Sequence, residues 1–264
     1  MAVFDSSVPI SKLTLPTPPK ALLPDIDDTL TDNGKLTAGA YGALWRLADA
    51  GIAIVPITGR PAGWCDLIVR QWPVAGVVGE NGAFAMYLDG EKRVIRYHPA
   101  ADHRAGTRLD NLQTLIQREI PEARIASDQP FRLFDLAIDF AEDEPDLGLE
   151  TAQRIHEICT RAGAAARISS IHVNAWYGDY TKLDMSLRFL TETIGIPAKE
   201  IVESVIFVGD SPNDEPMFAH FPLSVAVAGV RRYTELITQP PRYITNADGG
   251  AGFEELTERI LAVE

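Results

Sequence analysis

The chain has 264 residues, of which 46% are hydrophobic and 23% are charged, and this composition excludes a disordered or fibrous protein. Its formal net charge of −13, without any run of Lys or Arg, argues against nucleic acid and anionic membranes as partners. The two cysteines, Cys65 and Cys159, form neither a disulfide framework nor a zinc pattern, and with no signal-peptide or membrane-span pattern they predict a cytoplasmic protein.

The first part of the chain alternates between short apolar runs and helical patterns. Residues 1–20 are rich in proline, and we expect them to form a loose tail that leads into the first strand. Beyond them, the alternation is typical of βαβ units that build a parallel sheet. The predicted strands are KALLP, IAIVPI and VAGVVG, and the predicted helices are TAGAYGALWRLADAG and PAGWCDLIVRQW.

The pattern changes between about Ala83 and about Ala175. The segment AFAMYLDGEKRVIRYH predicts an antiparallel hairpin that turns near Asp89 and Gly90, because two alternating runs flank an Asp-Gly turn signal. Helical and strand patterns then alternate in the order TRLDNLQTLIQREI, FRLFDLAIDFA, GLETAQRIHEICTRAG and ARISSIHVNAWY. Together these elements predict an inserted α+β unit.

The alternation of the first part resumes near the end of the chain, in the order TKLDMSLRFLTETIG, SVIFVG, DEPMFAHF, LSVAVA and RYIT. We therefore predict an α/β fold with a Rossmann-like parallel-sheet core and an inserted α+β cap domain. The predicted core comprises residues 1–82 and 176–264, and the predicted cap comprises residues 83–175.

The segment LLPDIDDTLTDNG places several acids at the end of an apolar strand. Residues two apart in an extended chain point to the same side, so Asp25 and Asp27 can present both carboxylates to one small volume. Their repulsion is relieved by a divalent cation or by a shared proton. The alternative is an Asp-rich turn or a helix cap. Pro24 fits a central strand only at its last residue or at a bulge.

Two further motifs suggest a phosphate-binding site. In PITGR, Thr58 and Gly59 follow an apolar strand and offer a hydroxyl and backbone N–H groups, although Thr-Gly after a strand is also a common loop. Lys182 lies in the first turn of a helix, since Thr181 and Asp184 have capping-box spacing. A lysine there opposes the helix dipole, which is useful if it neutralises an anion, whereas most lysines are solvated surface residues.

The segment VIFVGDSPNDEPMF runs from an apolar strand directly into Asp210, Asn213 and Asp214. Asp214 could merely cap a helix, and Asp210 could merely start a turn. However, ligands of open α/β sheets bind outside the carboxyl ends of the strands, and Asp25, Asp27, Thr58 and Asp210 would gather there. The sequence therefore predicts one shared site at this edge of the sheet.

The motifs DIDDTLT, ITGR, Lys182 and GDSPND, in this order, resemble the four motifs of the haloacid dehalogenase superfamily of phosphohydrolases. With GENGA at residues 79–83 and the late NADGGAGFEEL, the chain is similar to the Cof-type branch. Members of this branch carry an α+β cap between the second and third motifs, and they include phosphatases of sugar phosphates. The chain departs from the family at Asp28, where glycine is common, and at Pro24, where an apolar or aromatic residue is common.

The resemblance implies roles for particular residues. Asp25 is implied as the nucleophile that forms an aspartyl-phosphate, and Asp27 as the general acid and then base. The implied ligands of Mg²⁺ are the Asp25 carboxylate, the Asp27 backbone carbonyl, Asp210, and Asp214 directly or through water. The implied phosphate-binding residues are Thr58, Gly59, Lys182 and Asn213, Lys182 also being catalytic, and the implied substrate-binding residues are Asn81 and Arg60. Further candidates within the cap are Arg104, Arg108, Arg167, His172 and Asn174.

We therefore expect a Mg²⁺-dependent phosphoric monoester hydrolase that acts on a small phosphorylated metabolite, such as a sugar phosphate. A phosphomutase of the same branch is the alternative enzyme. The alternatives from other classes are a phospho-acceptor signalling domain, which is shorter and has no inserted cap, and an inactive binding protein. The expected state is a monomer or a homodimer.

Overall fold

The computed structural model describes residues 3–263, which form fifteen strands and eight α-helices. The strands, β1 to β15, are Val8–Pro9, Ala21–Pro24, Thr31–Asp32, Lys35–Leu36, Ala53–Ile54, Val77–Gly79, Phe84–Asp89, Lys92–Tyr97, Arg124–Ile125, Asp135–Asp139, Ala165–Ile168, His172–Trp176, Val205–Gly209, Ser224–Ala226 and Tyr243–Ile244. The helices, α1 to α8, are Ala38–Asp49, Ala62–Gln71, Gly106–Glu119, Gly148–Arg161, Lys182–Phe189, Ala198–Ser204, Glu215–His220 and Gly249–Leu261.

A parallel sheet of six strands, in the order β1-β15-β14-β13-β2-β5, forms the centre of the molecule. Its central strands are buried on both faces, which explains why they read as continuous apolar runs. Successive residues serve opposite faces: Leu22 packs into the hydrophobic cluster that contains α1 and α8, and Leu23 packs into the cluster that contains α5 and α7. Pro24 is the last residue of β2, so this central strand loses no interior hydrogen bond.

A second, antiparallel sheet forms the cap, in the order β11-β12-β10-β9. Helices α3 and α4 pack on it around a separate hydrophobic core that includes Ile116, Ile138 and Ile155. The parallel sheet and the separate antiparallel unit confirm the predicted α/β fold class with its additional α+β part.

The hairpin at Asp89 and Gly90 forms as predicted, but it does not join the cap sheet. Its strands β7 and β8 pair with β6 in a three-stranded sheet, and Val78 of β6 bridges to Ile57 at the edge of the core. Phe84 and Met86 pack into the hydrophobic clusters of the core. The predicted cap boundary at residue 83 was therefore wrong, since the cap sheet and its helices begin only after β8.

Two other predicted elements differ in the structure. The segment ARISSIHVNAWY was predicted as one strand, but it folds into β11 and β12, with a turn in which the N–H of Ser169 donates to the carbonyl of His172. The turn residues are Ser169 and Ser170, which are compatible with a turn as well as with a strand.

The predicted loose tail was also wrong for most of its length. Val8–Pro9 pairs in parallel with Tyr243–Ile244 and forms the outer strand of the main sheet. Ile10 and Leu13 are buried in its core. The tail and core predictions also included residues 1, 2 and 264, which lie outside the described residues.

Within residues 3–263, every helix is too short or too polar to cross a membrane.

Candidate active site

Four polar segments converge at the carboxyl edge of the main sheet. Asp25 follows β2, Asp210 follows β13, and Thr58 follows the segment that continues β5. Lys182 begins α5 and reaches the same place, because its Nζ lies 2.6 Å from Oδ1 of Asp25. These side chains are buried, with at most 5% of their surface exposed. Of the four residues predicted to share one site, Asp25, Thr58 and Asp210 lie here together with Lys182, whereas the carboxylate of Asp27 binds Arg60.

Three carboxylates form a compact cluster at the centre of this site. Asp25, Asp210 and Asp214 each place one oxygen within 4.8 Å of the others. Burial, together with the neighbouring carboxylates, raises the pKa of Asp25 to about 8 and raises the pKa of Asp210 well above its usual range. One oxygen of Asp210, Oδ2, is buried without a hydrogen-bond partner among the described residues. This excess of buried negative charge and free oxygen suits a hard divalent cation.

Lys182 supplies the only cationic side chain in direct contact with that cluster in the part of the chain described. Its Nζ lies 2.6 Å from Asp25 and 2.9 Å from Oδ1 of Asp214. Burial by itself lowers the pKa of Lys182, but the two carboxylates outweigh it and leave the pKa raised. The Thr181 hydroxyl accepts the N–H of Asp184 at 3.1 Å, so this cap fixes the helix start that carries Lys182.

The loop after β13 is held by a capping box. Oδ2 of Asp214 accepts the N–H groups of Asp210 and Ser211, and the Ser211 side chain caps the turn in return. The Ser211 hydroxyl also donates to Oδ1 of Asn213. Asp214 is thus engaged through both of its oxygens, and Asn213 supports the loop on which Asp210 lies.

Thr58 and Gly59 lie between the core and the cap. The N–H of Thr58 donates to the carbonyl of Val78, and its hydroxyl accepts the N–H of Arg60 at 2.9 Å. A side chain on Gly59 would start 3.2 Å from Asn81 and Asn174, so glycine allows this close approach. Asn81 is buried and adopts a φ of 56°, and its Nδ2 lies 3.4 Å from Asp135 of the cap.

Asp27 is not a member of the carboxylate cluster, although its charge contributes to the raised pKa of Asp25, and it is bound by Arg60. The guanidinium contacts both carboxylate oxygens, with distances between 2.8 and 3.0 Å. Arg60 is 2% exposed and also pairs with Asp128 and Glu142 of the cap. The Arg60 guanidinium thus binds three carboxylates, and the role of Arg60 in substrate binding stays a prediction.

The position of Asp28 explains one departure from the sequence pattern. Asp28 adopts a φ of 54°, in the left-handed region that favours glycine, which is common at this position of the motif. Its side chain is half-buried and faces a cavity, and burial raises the pKa of its carboxyl group. The extra carboxylate thus lines the cavity beside the site, and its charge contributes to the raised pKa of Asp210.

A buried network of charged residues, which no sequence motif predicted, joins the core to the cap. Arg132 is buried and binds Asp128, Asp135 and the carbonyl of Gly59. Glu80 is also buried, and it accepts N–H groups from Leu133 and Phe134 of the cap and from Ala62 at the start of α2. Burial and the nearby Asp135 raise the pKa of Glu80 to about 8. The only signal in the sequence was an acid within GENGA.

The five candidate residues predicted in the cap do not lie together in the structure. His172 binds Glu142 and Asn174 binds Asp135, so both belong to the network. Arg108 instead pairs with Asp102 and lies over the ring of Tyr177. Arg104 and Arg167 make no side-chain contact with the carboxylate cluster among the contacts of the described residues.

A cavity of about 690 Å³ opens between the core and the cap beside Asp27. Five acidic and three basic side chains line it, namely Asp27, Asp28, Glu142, Glu144, Asp146, Lys35, Arg60 and Arg232. The site thus combines a buried carboxylate cluster, a lysine, a separately bound carboxylate and a polar cavity. This arrangement can bind an anion beside a cation and transfer a proton to a neighbouring group.

Comparisons with known proteins agree with this chemistry. Residues 22–115 match the family model of haloacid dehalogenase-like hydrolases. A phosphoglycolate phosphatase of Methanobrevibacter smithii is 25% identical over 256 residues, which cover 91% of this chain and 98% of that protein. The C-terminal domain of trehalose-6-phosphate phosphatase from C. albicans has a TM-score of 0.69 at 16% identity, covering 94% of this chain and 93% of that one. A sugar phosphatase of subclass IIB has a TM-score of 0.62 at 15% identity, covering 92% of this chain and 98% of that one.

Proposed function

We infer that this chain, a phosphohydrolase of the haloacid dehalogenase superfamily that acts on small phosphorylated metabolites, uses Asp25 as its nucleophile. The observation that carries the proposal is the buried cluster of Asp25, Asp210 and Asp214 with Lys182 in contact. Lys182 binds Oδ1 of Asp25, which leaves Oδ2 for attack on phosphorus. The lysine also offers positive charge to the phosphoryl oxygens.

The proposed reaction has two steps, and each step moves one proton. A carboxylate oxygen of Asp25 bonds to phosphorus while the bond to the leaving oxygen breaks, and Asp27 gives its proton to that oxygen. Asp27 then takes a proton from water as the water oxygen attacks the aspartyl-phosphate. This second step releases inorganic phosphate and restores Asp25. In this proposal, the phosphoryl group binds beside Thr58, Gly59 and Asn81. Asn213 supports the neighbouring loop.

Mg²⁺ is the proposed cofactor. The residues that would hold it are Asp25, Asp210 and the backbone carbonyl of Asp27, with Asp214 supporting the site through its contacts with Lys182 and the N–H of Asp210. The free Oδ2 of Asp210 supports this ligand set, which is entirely oxygen. When bound, the ion offsets the charge of the carboxylates and stabilises negative charge on the phosphoryl group.

The cavity beside Asp27 supports a sugar or a similar polyol as the leaving group. Its acidic side chains outnumber its basic ones, and one of the basic residues, Arg60, is already paired with Asp27 and Glu142. A carboxylate on the leaving group would therefore meet repulsion, whereas hydroxyl groups would find both donors and acceptors. We thus propose a sugar phosphate rather than phosphoglycolate, the substrate in the name of the Methanobrevibacter relative.

Assembly and location are part of the same proposal. Both cysteines, Cys65 and Cys159, are buried and free, which suits a reducing compartment such as the cytoplasm. The proposed state is a monomer or a homodimer, because the site described above is built from one chain.

The test is phosphate release from a panel that contains glucose 6-phosphate, other sugar phosphates and phosphoglycolate, with Mg²⁺ present. We expect kcat/KM to be higher for at least one sugar phosphate than for phosphoglycolate. Asp25→Asn should lower phosphate release at least about a thousandfold, because the nucleophile is lost. Asp49→Asn, an exposed aspartate at the end of α1, is the control and should leave the rate unchanged.

Three results would contradict parts of this proposal. Activity that survives Asp25→Asn would place the nucleophile elsewhere. Formation of an isomeric phosphate ester without inorganic phosphate would identify a phosphomutase. A preference for phosphoglycolate would overturn the argument from the charge of the cavity.

A further inference from the structure

One buried arginine joins the proposed acid and base, Asp27, to the cap. Arg60 lies on the loop after β5, and its guanidinium contacts Asp27 of the core at 2.8 Å. The same guanidinium contacts Glu142 at 2.7 Å and Asp128 at 3.2 Å, and both of these residues belong to the cap part of the chain. Only 2% of the Arg60 surface is exposed. A single guanidinium beside the proposed site therefore contacts carboxylates of both the core and the cap.

The contact with Arg60 fixes the orientation of the Asp27 carboxylate. Oδ1 receives two donors, Nε at 3.0 Å and Nη2 at 2.8 Å, whereas Oδ2 receives only Nε at 3.0 Å. A guanidinium is a rigid planar fork, so this pairing restrains rotation of the carboxylate. Oδ2 accepts one hydrogen bond fewer from Arg60 than Oδ1 does, so Oδ2 is the oxygen more available to the leaving oxygen of a substrate.

The two cap carboxylates are themselves held in place. Glu142 lies 2.8 Å from Nε2 of the buried His172, and Asp128 pairs with the buried Arg132 at 3.0 Å. Arg60 also lies over the ring of Trp64, at 4.3 Å from its centroid. Because a buried charge is tolerated only with well-placed partners, removal of one cap carboxylate should shift the guanidinium toward the remaining ones.

We propose that Glu142 and Asp128 are positioning residues, which act through Arg60 to set the Asp27 carboxylate for proton transfer when the cap rests on the core. This inference depends on the proposed function, since it assumes that Asp27 protonates the leaving oxygen. Neither cap residue touches the carboxylate cluster around Asp25 in the described contacts. Their effect should therefore fall on proton transfer and not on attack at phosphorus.

Substrates with different leaving groups distinguish an effect on proton transfer from an effect on attack at phosphorus. A sugar alkoxide is a poor leaving group and needs the proton from Asp27, whereas 4-nitrophenolate leaves without one. The ratio kcat/KM reports only the steps up to departure of the alcohol or phenol, because hydrolysis of the aspartyl-phosphate comes later. The comparison of kcat/KM between the two substrates thus isolates the first proton transfer.

The experiment measures kcat/KM for glucose 6-phosphate, or the best sugar phosphate, and for 4-nitrophenyl phosphate. We expect Glu142→Gln and Asp128→Asn each to lower the value for the sugar phosphate by about 10- to 100-fold, and the value for the nitrophenyl ester by less than about threefold. Asp27→Asn should show the same selectivity with a larger loss. The control is Glu119→Gln, which removes the exposed pair of Glu119 with Arg161 in the cap and should change neither value.

Thermal unfolding of each variant distinguishes positioning from loss of structure. Equal losses on both substrates would overturn the proposal, because they would indicate a general disturbance of the cap. Unchanged values in both Glu142→Gln and Asp128→Asn would overturn it too, since neither carboxylate would then act on Asp27. If the wild type released phosphate from neither ester, or if Asp27→Asn lacked the selectivity, the proposed function itself would fail, and the cap residues would have no role to perform.

Discussion

Glu142 is a cap carboxylate whose charge is stabilised by two neighbours. Burial by itself raises its pKa, but hydrogen bonds with His172 and Arg60 outweigh burial and lower the pKa to about 2. About a quarter of the side chain remains exposed, so water screens part of this interaction. The charged form therefore favours the folded state in which cap and core are in contact.

The stability of the protein should depend on pH through this residue. Because the pKa in the folded state lies below the ordinary value of 4.5, the contribution is complete above about pH 4.5 and is lost as the pH falls toward about 2. We expect Glu142→Gln to lower the free energy of unfolding by about 1–2 kcal/mol at pH 6 and by less than half of that at pH 3. Urea unfolding at both pH values measures the difference, and an equal loss at both would contradict the prediction.

Sequence patterns could identify the residues of the carboxylate cluster and Lys182, but not the residues that bind Asp27. Asp25, Asp210 and Lys182 each follow a recognisable local signal, a strand end or a helix start, which fixes where the side chain lies. Arg60 and Glu142 are 82 residues apart and meet only because the cap folds onto the core. Such long-range pairs leave no local pattern in a single sequence, and this explains why the contact of Arg60 with Glu142 was not predicted.

At the level of secondary structure, the start of α5 depends on Gly82, which lies in the 3₁₀ turn Glu80–Gly82 between β6 and β7. Gly82 has a φ of 103°, and a Cβ atom there would lie 2.1 Å from the backbone carbonyl oxygen of Thr181. This turn therefore packs directly against the residue that caps the helix of Lys182. Gly90, in the β7–β8 turn, also has a positive φ, of 61°, but a Cβ atom there would meet open space.

These two glycines form a matched pair for mutation. We expect Gly82→Ala to reduce the free energy of unfolding by about 3 kcal/mol or more, because strain and a backbone clash combine, and to lower kcat/KM by moving Lys182. Gly90→Ala should cost only about 1 kcal/mol and leave kcat/KM unchanged. Urea unfolding and phosphate release test both variants, and similar effects at the two positions would refute the role given to Gly82.

The secondary structure could largely be predicted, because the periodicity of apolar residues is local. The positions of the β7–β8 hairpin and of the outer strand Val8–Pro9 could not. The β7–β8 hairpin looked like a cap element because it breaks the βαβ alternation, yet its pairing with β6 is decided by tertiary packing. The outer strand Val8–Pro9 has two residues and a proline, so its pattern is indistinguishable from that of a coil.

The whole molecule carries a formal net charge of −13 and places three of its carboxylates in one buried cluster. Like charges in a buried cluster oppose folding unless a cation or bound protons offset them. Burial is the largest cause of the raised pKa values of Asp25 and Asp210, and the neighbouring carboxylates add to it. The fold should therefore be more stable with a divalent ion than without one.

Mg²⁺ should raise the midpoint of thermal unfolding in the absence of any substrate. At a concentration about 100 times the Kd, an ion that binds only the folded state adds about 2.7 kcal/mol. We expect Asp210→Asn to lose most of this response, because Asp210 holds the free carboxylate oxygen. Asp49→Asn should keep it, and chelation by EDTA should reverse it. An undiminished response in Asp210→Asn would mean that the ion binds elsewhere.

The two connections between core and cap lie against each other. A Cβ atom on Gly178, which follows the last cap strand, would lie 2.4 Å from the carbonyl oxygen of Ala100, which precedes the first cap helix. The polypeptide thus leaves the sheet and returns to it at almost the same point. Evolution could exchange such a module for another of different size, and so change which metabolites are accepted, without rebuilding the machinery beneath it.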